Sequence, residues 1–309
     1  MAVPCEARDN ADRVILFPKL HVGQTIRYQV GYRAATNTTT ESTVAAPMAP
    51  TGGQTDAHLL LQVEVEDLRI EAGKTMVRLT TRIVEQDTVP LAGAAPLPNA
   101  SDKPSNRGKA VLFTLHSDGQ VTDLDGFDKL SGEEQSAWQE WVARFGAGAA
   151  FPQKGVKPGE KWKAEEPITA ALLAGLSWEK ESQYVNDAPC GATNTTLQGA
   201  LAPDAPTQEI CAVILTTATL KQKSSQKDAT PEDYKLHDLR TMGIAKGKNE
   251  IITYISRKTG LVVRATEDAN QSMNVIVAKT DGSNRVHYQI DAESHAQVLL
   301  LAEPSANHP

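Results

Sequence analysis

Apolar and polar residues alternate along most of the chain, which is the pattern of β-strands with one side facing solvent. In residues 24–35 the even positions from 26 onward are apolar. Residues 57–70 and 75–84 repeat the alternation, and the short Gly-containing stretch between them predicts a hairpin. Residues 36–54 are instead rich in Thr, Ser, Ala, Pro and Gly, from which we predict a long mobile loop.

The C-terminal third predicts a series of short strands joined by short turns. We expect two of these turns at residues 267–272 and 291–295. Strands joined consecutively by short turns lie next to one another as a β-meander. The predicted strands cover residues 250–256, 261–267, 273–279, 285–290 and 296–301.

One central stretch departs from the alternation and predicts a helix of about three to four turns. Ser131 has the chemistry of an N-cap, and Glu134 three residues later completes a capping box. Trp138, Trp141 and Phe145 follow at helical spacing and form one apolar stripe. The glycine after Phe145 is a typical residue for the end of a helix.

Together these elements predict a mainly β (α+β) fold. We expect a large curled antiparallel sheet, or open half-barrel(s), around one central amphipathic helix, with a C-terminal β-meander. We divide the chain into a loose N-terminal segment (1–13), one β-rich domain (14–303) and a tail (304–309).

The domain is also a candidate for two related halves, residues 14–150 and 151–303. The segments Phe17–Ile26 and Phe151–Trp162 share a Phe-Pro pair, a basic stretch, a Val and a Gly before a strand begins. Pro fixes φ and Gly adopts turn conformations that other residues resist, so the physical logic is the same in each. The alternative is that one kind of turn occurs twice by coincidence.

Composition excludes some functions. The chain has 309 residues, a formal net charge of −7 and 5% aromatic residues. Binding of nucleic acid is not expected, because it calls for a basic surface. No run of eighteen apolar residues occurs, so we predict no transmembrane segment. The oligomeric state leaves no mark in the sequence.

The three cysteines are relevant to the cellular compartment in which the protein folds. Cys190 and Cys211 flank a polar stretch with a Pro-containing turn, and we predict a disulfide between them, with two separate buried thiols as the alternative. Residues 1–5 show no signal peptide. Because the chain is rich in Thr, Ser, Ala, Gln and Asn, we expect an exported protein of the periplasm or cell envelope whose signal peptide has been removed. Cys5 is preceded by a poor lipidation motif.

The sequence contains no recognisable catalytic motif. A nucleophile elbow, a phosphate loop, a dinucleotide fingerprint and HExxH are all missing, and the seven His are dispersed. We therefore predict no enzyme and no cofactor. Weak candidates for a metal site share an acidic stretch whose spacing departs from a calcium loop, so turn and helix-start roles are favoured: Asp118, Asp123, Asp125 and Asp128.

The predicted strand order, the hairpin Arg257-Lys258-Thr259-Gly260-Leu261 and the Pro-Gly-Glu-Lys-Trp sequence at 158–162 support a family resemblance. The chain resembles exported bacterial β-rich proteins of unassigned function with a half-barrel of the lipoprotein-carrier (Lol) type. The resemblance implies an apolar groove for acyl chains or for a hydrophobic partner.

Two functions follow as hypotheses. In the first, a non-enzymatic binding protein holds a lipid, another apolar small molecule or a hydrophobic partner on the concave face of the sheet, which Trp138, Trp141, Phe145 and Trp162 line or plug. In the second, a structural or envelope-assembly protein has a filled core and binds protein partners through sheet edges or loops. A dry cavity favours the first, whereas a filled interior with an exposed sheet edge favours the second.

Overall fold

One antiparallel sheet dominates this computed structural model, which describes residues 13–44, 49–71, 73–86, 109–117, 119–145, 152, 154–168, 171–191 and 209–301. The strands and helices in chain order are β1 (Thr25–Ser42), β2 (Thr51–Glu71), β3 (Lys74–Gln86), β4 (Ala110–His116), β5 (Val121–Asp125), α1 (Gly132–Phe145), β6 (Lys161–Pro167), β7 (Leu176–Pro189), β8 (Ile210–Gln222), α2 (Glu232–Lys235), β9 (Leu239–Ser256), β10 (Val262–Lys279) and β11 (Val286–Leu301).

The sheet has eleven strands in the order β5-β4-β3-β2-β1-β11-β10-β9-β8-β7-β6. Its two end strands, β5 and β6, do not pair with each other, so the sheet is open. The predicted fold class is confirmed: a mainly β protein with a large open antiparallel sheet, one central amphipathic helix and a C-terminal meander of β9, β10 and β11.

The meander has three long strands instead of the five short ones predicted. Strand β10 runs through residues 267–272 and β11 runs through 291–295, so the turns predicted there are wrong. These polar stretches pair continuously with strands on both sides. Asp268, Asn270, Asp291 and Glu293 are exposed, whereas Glu267 is buried, and the paired backbone outweighs the local turn preference.

The loop predicted over residues 36–54 is also mostly strand. Strand β1 continues to Ser42 and β2 begins at Thr51. The added part of β1 pairs with β11 as far as Ser42↔Val286. Thr is β-branched and favours strands, a preference that the loop-like composition of this stretch concealed.

Helix α1 packs on one face of the sheet, called the inward face below. Ser131 and Glu134 form the predicted capping box: Glu134 N donates to Ser131 Oγ at 3.3 Å, and Ser131 N donates to a Glu134 carboxylate oxygen at 2.6 Å. The buried Glu134 also receives a hydrogen bond from Lys109 Nζ at 3.0 Å. The start of α1 is therefore fixed by the capping-box hydrogen bonds and by the ion pair between Lys109 and Glu134.

Two apolar clusters lie along the inward face. The main core joins α1 to the inward residues of β1–β4 and to the nearer ends of the strands from β7 to β11. A second core lies at the far ends of β7–β10 and is built around Leu173, Leu220 and Val275. The protein thus fills its inward face at two places.

The two Phe-Pro segments end in the same backbone turn. Gly23 and Gly159 have φ values of 82° and 85°. Gly23 N donates to Val65 O at 2.8 Å, and Gly159 N donates to Tyr184 O at 2.7 Å. In each case the partner residue donates back to the residue after the glycine. Two structurally related halves of the chain would share such a turn. The division of the chain into halves stays a prediction.

We expect Gly23→Ala and Gly159→Ala each to lower the free energy of unfolding by about 1–2 kcal/mol, the cost of a left-handed conformation in a residue with a Cβ. Both sites have open space for the added methyl group, so backbone conformation alone is tested. Gly53→Ala is the control, because that glycine has open space and no positive φ. Urea unfolding measures all three, and a large loss at only one of the two turns would contradict their equivalence.

Candidate functional site

The aromatic residues predicted to line a ligand site are packed inside the protein. Trp138 is 2% exposed, and Trp141 and Phe145 are 0% exposed. The Trp141 ring stacks on Phe145 at 4.9 Å between centroids, and Phe113 meets Trp138 edge-on at 5.3 Å. The helix stripe therefore plugs the interior. Binding of an apolar ligand by these residues stays a prediction.

Trp162 lies apart from this stripe. It is half-buried on β6, opposite Ser182 of β7, and packs against the edge of the main core. The structure thus brings three of the four predicted residues together on α1 and leaves the fourth on an end strand.

The interior around α1 contains few hydrogen bonds. Tyr28 Oη, Trp138 Nε1 and Trp141 Nε1 are buried without a hydrogen-bond partner among the described residues. Burial raises the pKa of Tyr28 far above its usual range, because the phenolate form would lose its hydration. Apolar packing, and not a polar network, holds the helix stripe in place.

A charged cluster ties the end of α1 to the sheet. Arg144 forms ion pairs with Glu140 on the helix and with Glu267 on β10, whose other carboxylate oxygen receives a hydrogen bond from Asn249. Burial lowers the pKa of Arg144, and the charge of Glu140 opposes that shift. The side chains of Arg144 and Glu267 are 10% and 8% exposed, so the helix end is anchored by a shielded ion pair.

Most edges of the sheet are protected against pairing with another chain. Strand β5 is only five residues long. Strand β6 carries Lys161 and Lys163 on a largely exposed segment and ends at Pro167. Short strands, lysines and prolines are the usual means of blocking an edge.

The far part of β9 is protected in another way. Strand β8 pairs with β9 only as far as Thr219↔Lys248. Beyond that point the segment after β8 supplies the missing bonds: Gly243 N donates to Gln226 O at 2.9 Å, and Ala245 N donates to Gln222 Oε1 at 3.2 Å. The chain therefore caps this edge with its own residues.

The far part of β2 has no such protection among the described residues. Strand β3 pairs with β2 from Leu59 onward, and within the described ranges residues 51–58 pair only with β1. This open edge, residues 51–58, has the sequence TGGQTDAH and contains neither Lys nor Pro. An unpaired strand without such blocking residues is a template for strand addition.

The direction of the free backbone groups follows from the register. Val65 donates to Gln24 and accepts from Gly23, so its backbone groups point toward β1. Successive residues of a strand point alternately to its two sides, and the pairing of β1 with β2 has no register shift. The N–H and C=O groups of Gly52, Gln54 and Asp56 therefore point outward from the open edge.

Side chains give the open edge different chemistry on its two faces. Asp56 forms an ion pair with Arg33 of β1 at 3.4 Å, and its Oδ1 lies 3.1 Å from His58 Nε2, on the face away from α1. On the inward face the edge presents Gly53 and Thr55, which are small. An added strand would meet charge on one face and open space on the other.

Sequence reasoning missed this edge, because residues 51–54 fall in the predicted loop. The signal that could have found it is the alternating Leu59, Leu61 and Val63 of β2, whose strand pattern extends toward the N-terminus through Thr55 and Ala57. Only the pairing limits of β3 show that the extension has no second neighbour in the described part of the chain.

The remaining predicted residues are placed as follows. The disulfide between Cys190 and Cys211 is confirmed. Asp118 lies outside the described residues. Asp123 and Asp125 lie on β5 and Asp128 in a short 3-10 helix, and the described part of the chain has no group of three or more His, Cys, Asp or Glu arranged to hold a metal ion. No helix of the described ranges is both long and apolar enough to cross a membrane.

Comparisons with known proteins add no assignment. No family model and no curated protein matches the chain. Among solved structures, the chain is similar to the outer membrane protein OprG from Pseudomonas aeruginosa at 7% sequence identity, over 92% of this chain and 98% of that chain, with a TM-score of 0.18. A likeness at this TM-score supports no statement about the fold or the function of this chain.

Proposed function

We propose that this chain is an exported, non-enzymatic interaction protein that adds an extended segment of a protein partner to its sheet at the open edge, residues 51–58. The observation that carries the proposal is the eight-residue stretch of β2 that lacks a described partner and carries no blocking residue. Main-chain hydrogen bonds supply the affinity in this mode of recognition, and alternate side chains supply specificity.

The filled interior supports this function over the binding of an apolar ligand. Trp138, Trp141 and Phe145 occupy the space that such a ligand would need. The disulfide supports an exported location, because disulfides persist in oxidising compartments.

The length of the edge sets the length of the partner segment. Eight residues at about 3.3 Å each span about 26 Å. A partner segment of about seven residues in extended conformation would pair along this length, on the side of β2 away from β1. Partner residues facing outward would lie next to the Asp56 carboxylate, which favours a basic side chain there.

Gln54→Pro is expected to abolish partner binding while leaving the fold intact. Its backbone N–H points outward, so proline removes a donor for the partner without breaking a bond to β1. Thermal unfolding of the variant should stay close to that of wild type. Thr55→Pro, one residue along, removes a bond to β1 and should lower the melting temperature.

A displayed library of seven-residue peptides, selected on the full chain, provides the binding assay. Peptides that bind wild type should bind Lys163→Pro equally, because that change removes an outward N–H on the other sheet edge, β6. They should fail to bind Gln54→Pro. Peptides that bind all three proteins alike would show that the open edge is not the docking site.

Hydrogen exchange tests the premise directly. In the isolated protein the amides of Gly52, Gln54 and Asp56 should exchange fast, whereas those of Gly53 and Thr55 should be protected by β1. Slow exchange at all five amides would mean that the chain covers this edge itself, which would refute the proposal.

A further inference from the structure

A second surface lies on the outward face of the sheet, the face away from α1. Three arginines point outward there, because each adjoins residues of the main core along its strand: Arg27 of β1, Arg82 of β3 and Arg264 of β10. Gln62 of β2 lies opposite both Arg27 and Arg82, and Leu299 of β11 lies opposite Arg264. We call this surface the arginine face, and its apolar members are Leu60, Val213, Leu215, Ile252, Tyr254, Leu299 and Leu301.

The positive charges of the arginine face are not neutralised within the described part of the chain. Arg27, Arg82 and Arg264 form no ion pair and no hydrogen bond with a described residue. The Nε atom of Arg264 is buried and has no described hydrogen-bond partner. Elsewhere on the outward face Arg33 is paired with Asp56. The three arginines therefore keep donors that a partner molecule could use.

Carboxylates are scarce around these arginines. The outward neighbours of Arg264 in the sheet are uncharged: Ile252, Tyr254, Thr266, Gln297 and Leu299. The carboxylate of Glu209, beyond the end of β9, accepts a hydrogen bond from Ser256. Glu64 of β2 lies two residues from Gln62 and forms an ion pair with neither of the other two arginines. Although the chain has a formal net charge of −7, this surface is locally positive.

Arg264 is held in position before any partner arrives. Its Cζ atom lies 3.6 Å from the centroid of the Tyr254 ring, in a cation–π contact. Both side chains are half-buried. A guanidinium that lies flat on a ring keeps the donors at its edge available, and its planar fork matches a carboxylate in a bidentate pair. Arg264 on Tyr254 is therefore a preformed site for a carboxylate.

The composition of the arginine face differs from that of the rest of the outward face. Toward the far ends of β9, β10 and β11 the outward residues are charged and exposed: Lys248, Glu250, Asp268 and Glu293. The arginine face has Arg and Tyr among apolar residues and contains no Lys. Protein interfaces are enriched in Arg and Tyr and depleted in Lys, Glu and Asp, and Arg and Tyr carry much of their binding energy. This composition favours a protein partner over a lipid surface, which attracts Lys and Arg alike.

We infer that the arginine face binds an acidic protein segment in which Asp or Glu residues stand beside apolar ones. A carboxylate of that segment pairs with Arg264, and its apolar side chains contact Ile252 and Leu299. Arg27 lies on the next strand but one and takes a further carboxylate. The open edge, residues 51–58, is a different site, so this inference does not depend on strand addition there.

Binding of a random copolymer of L-glutamate and L-tyrosine to the immobilised full chain tests this inference. Poly-L-glutamate is the matched probe, because it keeps the carboxylates and lacks the apolar side chains. The copolymer should bind at least several-fold more tightly than poly-L-glutamate. Equal binding of the two polymers would mean that charge alone is recognised, and absence of copolymer binding would mean that no acidic segment is recognised. Either result would overturn the inference.

Variants then locate the binding. Arg264→Gln should weaken copolymer binding by about tenfold or more, the factor expected from one lost charged hydrogen bond, and Arg27→Gln should weaken it to a smaller extent. Arg240→Gln is the matched control, because Arg240 lies outward on the far part of β9 and is already paired with Asp228 at 3.9 Å. Copolymer binding that is unchanged in both Arg264→Gln and Arg27→Gln would overturn the inference. Melting curves confirm that each variant is folded.

Two further measurements separate this surface from the alternatives. Sedimentation with phosphatidylglycerol vesicles tests a lipid surface: vesicle binding that Arg264→Gln abolishes, without copolymer binding by wild type, would overturn the protein partner. Peptides selected for the open edge should bind Arg264→Gln as they bind wild type, and Gln54→Pro should keep copolymer binding. Failure of one proposal is thereby distinguished from failure of the other.

Discussion

Replacing Trp141 with alanine is expected to lower the free energy of unfolding by about 3–5 kcal/mol, the range for removing a buried large aromatic side chain. Trp141 is 0% exposed, and its ring contacts those of Tyr28, Phe113, Trp138 and Phe145. The truncation would leave a void at the centre of the contact between α1 and the sheet. Chemical unfolding followed by circular dichroism measures the loss.

Two control variants sharpen this result. Trp141→Phe keeps an aromatic ring against Phe145 and removes a buried N–H that has no described partner, so its cost should be well below that of alanine. Trp162→Ala removes a half-buried tryptophan at the edge of the core and should also cost less. A loss below about 1 kcal/mol for Trp141→Ala would be typical of a surface site and would contradict a filled interior.

Replacing both Cys190 and Cys211 with alanine is expected to lower the free energy of unfolding by about 3 kcal/mol, as the chain-entropy account gives for a loop of about this size. The two cysteines are 21 residues apart and lie where β7 ends and β8 begins. Without the disulfide, the unfolded chain gains conformational entropy, and the folded chain loses the covalent cross-link between β7 and β8. Alanine is chosen because Cys211 is fully buried and a serine would bury a hydroxyl group.

The reduced wild-type protein provides the matching control. Unfolding in excess dithiothreitol should show the same loss as the double alanine variant, and the double variant should not respond to the reductant. If reduction left the wild-type midpoint unchanged, the bond would contribute nothing to stability.

Local sequence chemistry determined the elements that depend on neighbouring residues. The capping box of α1 forms between Ser131 and Glu134 as their spacing predicts, and Trp138, Trp141 and Phe145 share one buried face. The alternation in β2 and β3 and the disulfide likewise follow from residue pattern. These features need only the geometry of a helix, of a strand or of two nearby cysteines.

Strand length was not predictable in the same way. Residues 36–42, 267–272 and 291–295 have compositions typical of loops and turns, yet the first stretch is the end of β1 and the other two are central parts of β10 and β11. Pairing with neighbouring strands satisfies their backbone groups, and a window of neighbouring residues does not show that gain.

The sequence by itself therefore determined a mainly β protein with one capped amphipathic helix and a cross-linked hairpin. Only the tertiary structure decided that the helix stripe fills the interior, that the described part of β3 pairs with β2 from Leu59 onward, and that Arg78, Thr114 and Asp123 meet on the face of the sheet away from α1. Each of these depends on which distant strands pair and in what register. That choice is made by long-range contacts among many residues, and no local pattern encodes it.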